Sequence, residues 1–273
     1  SLNATHIQTF YNDLLRVKQL QPKTIKNVHG ILHKALEQAL KLRYIGINPA
    51  DACTLPRIEN TEISPLSEKE IAAFLGAIQE NEPLKNLFTV ALFTGLREGE
   101  ICGLSWESVN FHDGTITVKQ QLCKEKVKGG QHYIAATKND KSRVLTVAPF
   151  VMEILRAVRQ EQMQNHLACG LAWQNEYNLV FTDKAGHFIV PQTALKRFKA
   201  VANTIGRPDA RFHDLRHTYA VTALQEGDDV KTVQQNLGHA TASFTLDVYG
   251  HVSEKMKRES AARMQSYFEK INA

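Results

Sequence analysis

A chain of 273 residues accommodates one large domain or two small ones. Its composition, 43 % hydrophobic and 22 % charged, is that of an ordinary globular protein and excludes disordered, collagen-like and low-complexity classes. The 33 Lys and Arg against 28 Asp and Glu leave a net charge of +5, a mild average that can conceal a local patch.

No apolar run reaches the roughly 18–20 residues that a membrane span needs. The nearest, Leu84 to Leu96, is interrupted by Lys85 and Asn86. The opening Ser1-Leu2-Asn3 has no basic-then-apolar leader, so a cytoplasmic setting is expected. The four cysteines, Cys53, Cys102, Cys123 and Cys169, are scattered and form no C-x-x-C pair, which gives a zinc knuckle no support.

In chain order, Ala4 to Lys18 places Ile7, Phe10, Tyr11, Leu14 and Leu15 at helical spacing. Pro22 suits the first turn of a second helix. Its apolar stripe runs through Ile25, Val28, Ile31, Leu32, Ala35, Leu36, Ala39 and Leu40, and it is expected to stop near Gly46, before Asn48-Pro49. Residues 47–65, with Pro49, Pro56 and Pro65, read as a linker. Ser67 with Glu70 then forms a capping box at the mouth of a new helix. The boundary falls near residue 62, giving a small helical part, 1–62, and a larger part, 63–273.

The larger part is expected to open with helices over 68–80 and 84–94. Short strands follow at 115–118, 133–135 and 144–147, with Gly129-Gly130 as a turn between the first two. Helices are expected over 150–165, 191–205, 213–226, 229–236 and 254–270, with a brief strand from Leu179 to Thr182. The fold class is mostly α with a small antiparallel β-sheet. From Lys119 to Arg143 the chain carries seven basic residues against Glu125 and Asp140. That stretch is either a solvated hairpin face or a phosphate-binding surface.

Four strings bear chemistry-capable side chains. In Thr94-Gly95-Leu96-Arg97-Glu98-Gly99-Glu100, a helix ends at a glycine and Arg97 is held at the junction, either as a structural pair with Glu100 or as an anion ligand. In His213-Asp214-Leu215-Arg216-His217, a helix puts His213 and Arg216 on one face. Arginine offers a planar fork for phosphate and histidine carries protons near neutral pH. His213 and His217 as a zinc pair is the weaker reading, because the Glu of H-E-x-x-H is replaced by Asp214 and Arg216 would set a positive charge beside the metal. Leu237-Gly238-His239 reads as a capping glycine with an exposed histidine, and Val248-Tyr249-Gly250-His251 as a half-buried tyrosine. None is decisive alone.

Together, T-G-L-R-x-x-E, H-D-L-R-H-T and L-G-H followed by Tyr249 form an ordered series, R…H-x-x-R…H…Y, that resembles the tyrosine recombinase (phage integrase) family. Integrases of bacterial conjugative transposons and temperate phages are the most similar, and the likeness covers nearly the whole chain. It implies a helical core-binding DNA-binding domain over 1–62, here partial and without an arm-binding domain, and a catalytic domain with a C-terminal helix over 63–273. It implies Tyr249 as the nucleophile and Arg97 and Arg216 as a clamp on the phosphate. It further implies His213 as the proton acceptor, His239 as a hydrogen-bond donor, and Lys138 of the hairpin as the general acid, with Lys141 as its rival. Asp214 and Glu100 fall to orienting roles.

The function so implied is site-specific recombination through a covalent 3′-phosphotyrosyl intermediate and a Holliday junction, integrating and excising a mobile element without metal, ATP or cofactor. The partners implied are double-stranded DNA and further copies of the chain, in a tetramer that exchanges C-terminal helices, with no membrane and a place on the bacterial nucleoid. Phosphate contacts are expected from Lys23, Lys26 and Lys34, and from Lys124, Lys126 and Lys128, the last three in a stretch, Lys124 to Gly130, that looks like an insertion. Two other readings are a type IB topoisomerase-like enzyme and a non-catalytic DNA-binding regulator.

Overall fold

The computed structural model describes residues 2–58, 64–79, 81–125, 127, 129–137, 142–238 and 254–271. The chain divides into two compact units, Ser1–Glu62 and Ile63–Ala273.

The first unit pairs helices α1 (Ala4–Arg16) and α2 (Pro22–Lys41). The Asn3 side chain caps α1 by accepting from the His6 backbone N–H, and Pro22 occupies the first turn of α2. The core is small: Ile7, Tyr11, Ile25 and Ala50, with Leu32, Leu36, Cys53 and Leu55 packed against it. The helix α2 stops at Lys41 rather than near Gly46, and Arg43 just beyond it takes a left-handed φ of 61°. Part of the stretch read as linker belongs to this core. Ala50 is buried, and Thr54 exchanges hydrogen bonds with the Gln8 side chain at 2.8 and 3.1 Å. Two helices cannot cover the whole stripe of α2, so Ile31 stays exposed.

The second unit begins with α3 (Glu68–Gln79), whose capping box is formed: the Ser67 N–H and hydroxyl both donate to Glu70 Oε2 at 2.7 Å. Next come α4 (Lys85–Thr94), α5 (Glu98–Cys102) and a short sheet region. The strands are β1 (Val109–Asn110), β2 (Thr115–Val118), β3 (Gln120–Lys124), β4 (His132–Ala136) and β5 (Arg143–Thr146). They form two antiparallel sheets, in the orders β1-β2-β5 and β3-β4. This corrects the expected turn between 115–118 and 133–135. Ile116 of β2 pairs with Leu145 of β5, while Leu122 of the unexpected β3 pairs with Ile134 of β4. β3 escapes a sequence reading because only Leu122 of its five residues is buried, so it lacks an apolar alternation. Leu179 to Thr182 is held by isolated bridges, Ser105 to Leu179 and Thr182 to Phe188, rather than by a strand ladder.

The helices α6 (Pro149–Cys169), α7 (Pro191–Thr204), α8 (Phe212–Gln225) and α9 (Val230–Leu237) complete the body, and α10 (Glu254–Ile271) is the last described element. Phe74 of α3, Phe88 of α4, Phe198 of α7 and Phe212 of α8 meet at ring-centroid distances of 5.7–6.2 Å. These edge-on and tilted rings bring together helices far apart in sequence. They set α4 against α8, which positions the site.

At the C-terminus of α4, Gly95 adopts φ 64° and closes the helix in a left-handed cap. A Cβ there would meet Tyr219 Cδ1 at 2.6 Å and Leu237 Cδ2 at 2.7 Å. Gly95→Ala therefore adds left-handed strain and a clash with two packed side chains, and should destabilise the second unit by about 1–3 kcal/mol. Urea denaturation followed by tryptophan fluorescence checks this, since Trp106 and Trp173 both lie in that unit.

Candidate active site

Two of the motif segments start helices in the same way. Arg97 is the N-cap of α5: its backbone N–H donates to Glu100 Oε2 at 2.9 Å, and its guanidinium Nη1 donates to Glu100 Oε1 at 2.7 Å. Arg211 is the N-cap of α8: its backbone N–H donates to Asp214 Oδ2 at 2.8 Å, and its Nη2 donates to Asp214 Oδ1 at 3.1 Å. In each case a carboxylate three residues on satisfies an orphan amide at a helix start. Asp214 is thereby committed to capping α8, which weighs against the zinc reading of His213 and His217.

Glu100 is buried, at 3 % exposure. Besides Arg97 it accepts from Arg143 Nη1 on Oε1 at 2.9 Å and from Arg143 Nη2 on Oε2 at 2.7 Å. Burial alone raises a carboxyl pKa, but the Arg143 guanidinium, with the amide and guanidinium of Arg97, outweighs it and brings Glu100 down to about 2. Arg97 itself keeps 40 % of its side chain exposed, so one face of it is available from solution.

Arg216 is fully buried, and it joins three segments. Its Nη1 donates to the carbonyl of Gly95 at 2.8 Å, and its Nη2 to the carbonyl of Leu237 at 2.5 Å. Both carbonyls are at helix C-termini, where backbone acceptors lack intrahelical partners and the helix dipole favours a cation. The sequence reading of Arg216 as a phosphate fork did not foresee this bracing. The Tyr219 hydroxyl adds to it by accepting from Asn236 Nδ2 at 3.0 Å.

His213 remains accessible, next to the buried His217, with ring centroids 4.7 Å apart in an edge-on arrangement. Desolvation lowers the His213 pKa, helped by the Arg216 and Arg97 guanidinium groups, so a neutral imidazole prevails near pH 7. Desolvation and the neighbouring His213 lower His217 further, to about 4.

The structure thus brings Arg97, His213 and Arg216 into one neighbourhood. Lys138, its rival Lys141, His239 and Tyr249 lie outside the described residues, as do Lys126 and Lys128. Lys124 is exposed at the end of β3, and Lys23, Lys26 and Lys34 are exposed on α2. The residue that sequence reading missed is Arg143, counted only as part of the basic stretch. A signal was present in retrospect, because the T-G-L-R-x-x-E string carries a buried carboxylate that needs a second cation.

Residues 65–256 match the phage integrase family. The chain is 31 % identical to a XerC-like tyrosine recombinase of Caldanaerobacter subterraneus subsp. tengcongensis, over 98 % of this chain and 72 % of that protein. The chain belongs to the phage integrase family. It is a tyrosine recombinase, an enzyme of site-specific DNA recombination. Neither a topoisomerase-like enzyme nor a non-catalytic regulator is favoured. The recombinase is also 22 % identical to the ICEBs1 integrase of Bacillus subtilis, over 90 % of this chain and 66 % of that protein. Its fold is that of the Tn1549 transposon integrase solved with transposon right end DNA, at a TM-score of 0.79 and 21 % identity, covering 97 % of this chain and 86 % of that one. Among the described residues, no helix is long and apolar enough to cross a membrane.

The histidine pair makes a pH prediction. A histidine titrating at about 6.5 when unfolded and at about 4 in the fold binds its proton first in the unfolded chain. Its stabilising effect is complete above pH 6.5 and is lost as pH falls towards 4. Between pH 7 and pH 5 the second unit should lose about 2 kcal/mol through His217. His217→Gln should flatten that limb in urea titrations at the two pH values. The carboxyls of Glu70 and Glu100, both held at about 2, act only at lower pH.

Proposed function

We propose that this recombinase cuts DNA by attack of the Tyr249 hydroxyl on a phosphodiester, with Arg97 and Arg216 binding the non-bridging oxygens. The observation that carries this reading is the pair of bonds from Arg216 to the carbonyls of Gly95 and Leu237. Through them, the segments leading to Arg97 and His239 are braced on the helix that carries His213. Preorganised donors aimed at developing negative charge give the largest electrostatic gain because they need no rearrangement during the reaction.

As the Tyr249 oxygen bonds to phosphorus, its proton passes to His213, whose lowered pKa leaves it neutral and able to accept. The bond from phosphorus to the 5′-oxygen breaks, and Lys138 supplies the proton that the departing oxygen takes up. His239 donates a hydrogen bond to the phosphate. The result is a 3′-phosphotyrosyl adduct and a free 5′-hydroxyl. Because the phosphoester energy is conserved in the adduct, a 5′-hydroxyl from a partner duplex can reseal the strand without ATP. Two such rounds exchange strands through a Holliday junction and integrate or excise a mobile element. The Tn1549 transposon integrase, solved in complex with transposon right end DNA, supports double-stranded recombination sites as the substrate.

The unit over 1–62 serves as a core-binding domain, with exposed Lys23, Lys26 and Lys34 as phosphate contacts, and Lys124, Lys126 and Lys128 contribute from the catalytic domain. Self-association into a tetramer on DNA rests on α10, whose Met264, Tyr267, Phe268 and Ile271 are each 59–66 % exposed. An apolar helix face of this kind gains by burial, and passing it to a neighbouring copy around a ring buries it in each.

Tyr249→Phe should abolish covalent adduct formation on a nicked suicide substrate while DNA binding persists, and an adduct formed by this variant would end the proposal. Arg216→Lys should likewise lose cleavage, because an ammonium cannot hold two carbonyls and a phosphate in a planar fork. The general-acid role makes a separate claim. On a substrate with sulfur at the 5′-bridging position, Lys138→Ala should regain most of its cleavage rate, since a thiolate leaves without a proton. Rescue of Lys141→Ala instead would move the role to Lys141.

A further inference from the structure

Arg143 sits at the start of β5, five residues after Lys138 in sequence, and its side chain is only 12 % exposed. It makes a two-pronged contact with Glu100 at 2.7 and 2.9 Å, and its Nε donates to the carbonyl of Asn236 at 2.7 Å. That carbonyl precedes the one held by Arg216. The C-terminus of α9 is therefore stitched to the Arg97 segment twice, through Arg216 to Gly95 and through Arg143 to Glu100. Gly238 completes the arrangement: at φ 65° it ends α9, and a Cβ there would meet Arg143 Cδ at 3.0 Å and Nη1 at 3.2 Å. The guanidinium is laid against the glycine that immediately precedes His239.

We infer that Arg143 is a positioning residue for DNA cleavage: by gripping Glu100 and the Asn236 carbonyl together, it fixes the Arg97 guanidinium relative to the chain entering His239. Arg97 and Arg143 share the same Glu100 carboxylate, so a shift of one moves the acceptor of the other. Only a guanidinium can do this, because three N–H groups in one plane are needed for two carboxylate oxygens and a carbonyl. Lysine at this position keeps the charge and loses the geometry. The inference rests on the phosphotyrosyl reading above and extends it to a residue that touches no substrate.

The test is single-turnover cleavage of a suicide substrate by the full chain, at saturating protein, for the parent, Arg143→Lys, Arg143→Gln, Glu100→Gln and Glu100→Gln/Arg143→Gln. Folding is followed by thermal melting, and DNA affinity by titration. The expected result is cleavage slowed by about 100-fold in Arg143→Lys, with affinity and melting close to the parent's, since misplacing a reacting group by about 1 Å costs that much. The deficit should persist on the 5′-bridging sulfur substrate, because Arg143 acts on the phosphate-binding side rather than on leaving-group protonation. The double variant should be no slower than the slower of the two singles, as expected of residues that act as one unit.

Cleavage by Arg143→Lys within about three-fold of the parent overturns the inference. So do rescue by the sulfur substrate, additive losses in the double variant, or failure of both Arg143→Lys and Arg143→Gln to fold, which would leave Arg143 a structural bridge. A parent that forms no adduct through Tyr249 would instead overturn the phosphotyrosyl reading itself.

Discussion

The carboxylate of Glu100, almost wholly removed from water, is the constraint around which the candidate site is organised. An isolated buried carboxylate would cost several kcal/mol, and the chain offsets that with two guanidinium groups and a backbone amide. Each of those partners has a second task. Arg97 caps α5 and turns the chain away from α4. Arg143 reaches from the sheet to the end of α9. One anion thereby couples three elements that are separated by long stretches of sequence, and removing either arginine leaves a charge with too few partners in a low-dielectric site.

Arg216 performs the complementary task from the helix side. Where Glu100 gathers cations, Arg216 gathers orphan carbonyls, one at the end of α4 and one at the end of α9. Its burial among helix C-termini is favourable because those ends carry partial negative charge. Desolvation, helped by the guanidinium groups of Arg216 and Arg97, lowers the pKa of His213 on the adjacent surface. The guanidinium that holds the two carbonyls thus also favours the neutral form of His213.

The second unit supports this with a dry aromatic centre. Phe74, Phe88, Phe198 and Phe212 fasten α3, α4, α7 and α8 to one another, so the two motif-bearing ends, after α4 and before α8, cannot drift apart independently. The close approach at Gly95, where Tyr219 and Leu237 leave no room for a Cβ, carries that rigidity to the Arg97 loop.

Much of this was legible in the amino-acid sequence because the signals are local. Helix periods, the Ser67–Glu70 box, the Pro22 start and the glycine caps at Gly95 and Gly238 depend only on neighbours in the chain, and the structure bears them out. The order of the T-G-L-R-x-x-E, H-D-L-R-H-T and L-G-H strings was enough to place the chain in its family. What needed the tertiary structure was pairing across distance. That β2 takes β5 as its neighbour, with β3 and β4 forming their own sheet, turns on which apolar faces reach the core, and β3 offers too few apolar residues to announce itself. The burial of Arg216 and the bridge of Arg143 were likewise invisible, since a guanidinium in sequence gives no sign of whether it will meet solvent, a phosphate or a carbonyl. Those partners lie between 21 and 121 residues away, and only packing of the helices brings them within hydrogen-bonding reach.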